Sequence, residues 1–123
     1  MTEFTATSQT TRLAAEIMRR CDELARFSEP GAGVTRRVAT PEHRLAADRV
    51  MRWMADAGMK PEMDAVGNVV GRYPGAEPGA PALLLGSHID TVREGGRYDG
   101  MLGVITPIVC VQALADAGER LPF

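Results

Sequence analysis

The 123-residue sequence is poor in cysteine and in histidine, with two of each. Cys21 and Cys110 are too few and too far apart for a disulfide framework or a zinc knuckle, and each falls in an apolar pattern of helical period. Both are expected to be reduced core residues. Positive charge is not in excess: 14 Lys plus Arg stand against 16 Asp plus Glu, a net charge of -2, so neither nucleic acid nor an anionic membrane is indicated as a partner. No stretch approaches the roughly 18 apolar residues of a membrane span. The opening MTEFTATSQTTR lacks a basic start followed by an apolar run. A cytoplasmic location is the default expectation. Internal repeats and low-complexity segments are absent, and no glycine run leads into Lys-Ser or Lys-Thr, which excludes a phosphate loop.

What remains is an ordinary globular composition, 45% hydrophobic and 24% charged, read as one domain over residues 1–123. After a polar leader of about ten residues, Leu13, Ile17, Cys21 and Leu24 recur at helical spacing and predict an amphipathic helix over 11–27. The connector SEPGAGVTRR leads to Thr40 and Pro41, a good N-cap and a good first helical residue. A second helix is expected to run to about Ala57, with Ala46, Val50, Trp53 and Met54 on its inner face and Gly58 as its stop. Trp53 should pack inward with Val50 and Met54, so that the first two helices cover a sheet. His43 falls in the first turn of that helix and is expected on the surface.

From Lys60 the period shortens, and MDAVGNVVGRY predicts strand, a turn around Gly67 and Asn68, and a strand from about Val69 to Tyr73. PGAEPGAP is turn chemistry. The apolar run that follows predicts a strand buried on both faces over Leu83–Leu85. A further helix should follow Asp99. Pro107 would cost about 3 kcal/mol or more inside it, so the helix is expected to kink or to start late, at Thr106. Together these elements predict an α/β layer architecture.

The segment from Gly86 to Gly100, GSHIDTVREGGRYDG, would then lie at the carboxyl end of a buried strand, where open α/β sheets place ligands. His88 and Asp90, two residues apart, project to one side of an extended backbone, about 6 to 7 Å apart at the backbone. The aspartate can accept from the imidazole, set its tautomer and make the other ring nitrogen a better metal ligand. Gly95 and Gly96 allow the chain to turn and bring Asp99 back toward His88, where a carboxylate could bridge two cations. A His-x-Asp triplet alone recurs by chance. Its setting at a strand end, before a double glycine and a second aspartate followed by Gly100, is what singles it out. Ser87 points to the opposite face from His88 in a strand, so a Ser–His nucleophile is not expected. Arg93 and Arg97 are expected in solvent.

GSHIDTVREGGRYDGMLGV resembles the metal-binding signature of the metal-dependent aminoacylase and carboxypeptidase superfamily, in particular its allantoate amidohydrolase and N-carbamoyl-L-amino acid hydrolase branch. The likeness extends through VTRRVATPEHRLAADRVMRWMADAGM and DAVGNVVGRY, over about residues 20–123, and RCDELARFSEPG leans slightly toward the allantoate enzymes. The resemblance implies the amino-terminal part of a three-layer α/β/α zinc-peptidase-like catalytic domain. It implies that His88 binds one metal, that Asp99 bridges two, and that Asp90 is a catalytic-site residue orienting His88. The implied cofactors are two divalent ions, zinc by preference for imidazole and carboxylate donors, with manganese the alternative. The implied substrate is a small molecule with a linear amide or ureido C–N bond. The family's Glu–Glu pair, further histidine ligands and lid domain for homodimer formation are not in these residues, so the chain is expected to be truncated and inactive alone. A peptidase or deacylase of the same superfamily and a non-catalytic fragment are the competing readings.

Overall fold

The computed structural model describes residues 7–123. Its elements follow in the order α1 (Ser8–Leu24), α2 (Pro41–Asp56), β1 (Lys60–Met63), β2 (Val69–Arg72) and α3 (Met101–Asp116). α1 begins three residues before the apolar period becomes visible because Thr7 caps it, its side chain accepting from Thr10 N at 3.2 Å. Most of the expected polar leader, residues 1–6, lies outside the described residues. The α-helix ends at Leu24, and Arg26 N and Phe27 N then donate to Glu23 O and Leu24 O, both at 3.2 Å, in a tighter final turn.

α2 has the expected ends: Thr40 accepts from His43 N at 3.3 Å, Pro41 opens the helix, and Gly58 follows with φ 77°. The core joins Cys21 and Leu24 of α1, Ala46, Val50 and Trp53 of α2, and Met101, Ile105, Ile108 and Val109 of α3. Trp53 is 5% exposed, with the guanidinium carbons of Arg20 and Arg49 at 5.3 and 6.0 Å from its ring centre. α2 covers the hairpin, Met54 lying against Gly71 of β2, but α1 packs against α3 rather than on the sheet. β1 and β2 pair antiparallel, Lys60 opposite Arg72 and Met63 opposite Val69. Asp64 closes their turn by accepting from Val66 N, Asn68 N and Asn68 Nδ2 at 2.8–3.0 Å, contacts that hold its carboxyl below the usual range, the Asn68 side chain most of all.

Other expectations fail here as well. Leu83, Leu84 and Leu85 are 62, 89 and 63% exposed and belong to no strand, because the β1–β2 hairpin is the only sheet among the described residues and offers this run no partner. A doubly buried strand needs neighbours on both edges and layers on both faces. Cys110 is exposed, although Cys21 is buried as expected. α3 starts at Met101 with Pro107 inside it, which overturns the late start at Thr106, one of the two expected outcomes for this helix.

Candidate active site

The segment after the exposed leucines is held by a second one. Val34 and Gly95 exchange backbone hydrogen bonds of 3.0 and 2.8 Å, and Glu94 N donates to Thr35 Oγ1 at 2.8 Å. The approach is close enough that a Cβ at Gly33 would sit 2.6 Å from the Glu94 backbone. Thr91 is buried; its hydroxyl accepts from Arg36 N at 2.9 Å and donates to Val34 O at 2.8 Å. At the far end Arg97 pairs with Asp22 of α1 at 2.8 Å, so that exposed arginine is tied to a partner, whereas Arg93 faces solvent as expected. These ties fix a loop that lacks a sheet to hold it.

His88 lies between the two aspartates. Its Nδ1 is 2.9 Å from the main-chain oxygen of Asp90 and 3.5 Å from that residue's carboxylate; its Nε2 is 3.8 Å from Asp99 Oδ1. The nearest acceptor is thus the Asp90 carbonyl rather than the side chain expected from the spacing. A carbonyl can only accept, so the contact requires Nδ1–H, and in the neutral ring this leaves the Nε2 lone pair free on the Asp99 side. Ser87 makes no hydrogen bond to His88, and its side chain sits against Gly103 of α3.

The donor set fits a metal in kind and spacing but not in number. Zinc binds nitrogen and carboxylate oxygen at about 2.0–2.2 Å, so two donors on one ion stand no more than about 4.2 Å apart, and 3.8 Å falls within that reach. Asp90 approaches the opposite nitrogen of the ring and cannot converge on the same point. Accordingly, among the described residues no group of three or more His, Cys, Asp or Glu side chains is placed to hold a metal ion.

A cleft of about 250 Å³ opens beside His88 and Asp90, lined also by His43, Val50, Met54 and Asn68. His43 is therefore half-buried in the site rather than a surface residue. Burial lowers its pKa, opposed by the charge of Asp90. His43 lies on one helical stripe with Ala47, Val50 and Met54, a pattern visible in the sequence, while the packing of that stripe against the site loop is what makes it a cleft residue.

The chain is 40% identical over 112 residues to an N-carbamoyl-L-amino-acid amidohydrolase of Paenarthrobacter aurescens, covering 89% of this chain and 27% of that protein. It is 40% identical over 107 residues to allantoate deiminase 1 of Glycine max, covering 87% and 22%. A crystal structure of a hydantoinase/carbamoylase family amidase from Burkholderia ambifaria superposes with a TM-score of 0.78 at 42% identity, over 85% of this chain and 26% of that one. The chain belongs to the hydantoinase/carbamoylase amidase family. No family model matches it. The chain spans about a quarter of the length of these family relatives. Its mixed helix and strand superpose on the family fold over that quarter. No described helix is long and apolar enough to cross a membrane.

Proposed function

We propose that these residues form part of the catalytic domain of a metal-dependent hydrolase that cleaves a linear amide or ureido C–N bond in a small carboxylated substrate. The observation that carries the reading is the His88 imidazole, tied at Nδ1 and turned with its free Nε2 toward Asp99. Relatives named N-carbamoyl-L-amino-acid amidohydrolase, allantoate deiminase and, in Arabidopsis thaliana, ureidoglycolate hydrolase support the bond type. His88 and Asp99 supply two ligand side chains, zinc being preferred and manganese the alternative. When bound, divalent ions polarise the scissile carbonyl and acidify water. Asp90 keeps His88 in the tautomer that can ligate, and the cleft floor of Val50 and Met54 presents an apolar wall beside it.

A catalytic zinc takes three protein ligands and the reaction needs a base, so the remaining ligands and the base must come from residues outside this chain. The test is a chimera in which residues 1–123 replace the matching segment of the Paenarthrobacter aurescens enzyme. Ammonia release from N-carbamoyl amino acids or allantoate, abolished by His88→Ala, is the expected result. A folded chimera that binds zinc yet releases no ammonia from either substrate would refute the reading.

A further inference from the structure

Arg36 is the largest fully buried side chain among the described residues, and none of them supplies it with a carboxylate partner. Its Nη1 donates to Leu24 O and Phe27 O at 2.8 and 2.7 Å, where α1 ends, and its Nε donates to Ile89 O at 2.7 Å. Nη2 is buried with no partner at all. Burying a guanidinium in this way is costly, and an apolar side chain of similar volume would serve a purely structural purpose better. A planar fork that reaches several carbonyls at once is what only arginine offers.

What that fork holds is specific. Ile89 O belongs to the peptide plane on the amino side of Asp90. The plane on its carboxyl side is held too, because Thr91 N donates to the main-chain oxygen of the same Arg36 at 2.9 Å. Peptide units are planar, so pinning both planes fixes φ and ψ of Asp90. In a trans peptide the C=O points away from the N–H; with Thr91 N–H turned to Arg36, the Asp90 carbonyl is turned toward His88 Nδ1. We propose that Arg36 is a positioning residue that locks the backbone of Asp90 and thereby holds His88 in the Nδ1–H tautomer, with Nε2 free. The role in metal binding rests on the function proposed above; the effect on the tautomer does not. Burial lowers the pKa of the Arg36 guanidinium, opposed by the charge of Asp90.

The experiment is long-range ¹⁵N–¹H NMR of His88 in the uniformly labelled 123-residue chain at pH 8, free of metal, with cobalt(II) titration of the chimera described above as the second readout. The wild-type chain should show Nδ1–H. Arg36→Met, and more mildly Arg36→Lys, should move the signal toward the Nε2–H form that free imidazole prefers, with Trp53 emission and the core methyl shifts retained. Cobalt affinity should fall about 10- to 100-fold, the usual effect of losing a partner that orients a ligand. A folded variant that keeps the Nδ1–H tautomer and loses only thermal stability would overturn the proposal. So would a wild-type His88 that is mainly Nε2–H, a result that needs no variant to fold. A tautomer change in the Arg36 variants together with a folded chimera that binds no cobalt would leave the positioning role of Arg36 in place and remove the metal reading instead.

Discussion

Gly100 and His88 are in contact across the site: a Cβ built on Gly100 would lie 2.5 Å from His88 Cε1 and from its main-chain oxygen, and 2.6 Å from Nδ1. Gly100 also takes a φ of 83° as the residue that opens α3. Gly100→Ala therefore combines a left-handed strain of roughly 1–2 kcal/mol with a clash that displaces the imidazole. Denaturant unfolding should show a loss at least that large, and His88 ring resonances should move. An alanine variant with unchanged stability and unchanged His88 shifts would contradict the contact.

Within the site, His88→Ala should be more damaging than Asp90→Asn. The first removes the imidazole that lies between the two aspartates; the second leaves intact the Asp90 carbonyl that lies nearest Nδ1. In the chimera, Asp90→Asn should fall at or below the lower end of the roughly 10- to 100-fold range expected for loss of an orienting partner. Metal content and turnover measured side by side decide the order, and a more severe Asp90→Asn would reverse the assignment.

The stability of α1 should depend on acid. Glu16 is held down from 4.5 to about 2, chiefly by its hydrogen bonds to Arg19, with Arg20 adding a further contact at 2.6 Å. A carboxyl with a lowered folded-state pKa stabilises the fold above its unfolded value, and that contribution is lost as pH falls from about 4.5 toward about 2. Glu16→Gln should flatten the melting temperature over that window and lower it above pH 5. Equal slopes in the two proteins would show that Glu16 is not the group responsible.

The run at Leu83–Leu85 should make the isolated chain prone to self-association, since apolar side chains and unpaired backbone are exposed together. Leu84, 89% exposed, is the residue to change. Leu84→Lys should reduce light scattering at high concentration while leaving the melting temperature within about 0.5 kcal/mol of equivalent stability, as for a surface position. Scattering that does not fall would place the association elsewhere.

The local elements were legible in the residues themselves, because their causes are local. Thr40 and Pro41 start α2, Gly58 ends it, Asp64 to Asn68 turns the hairpin, and the period of 3.6 marks the buried faces of Cys21, Leu24, Val50 and Trp53. The clustering of His88 with Asp90 and Asp99 was legible for the same reason, since the spacing and the intervening glycines nearly dictate it. The decisions left to tertiary structure involve partners distant in sequence. A short apolar run at Leu83–Leu85 states a need for burial but not whether a neighbour meets it. His43 became a cleft residue only when α2 was laid beside the site loop. Arg36, ordinary in composition, acquired its role because three carbonyls 9 to 53 residues away converge on one guanidinium, an arrangement that only the packing of α1 against the loop can create.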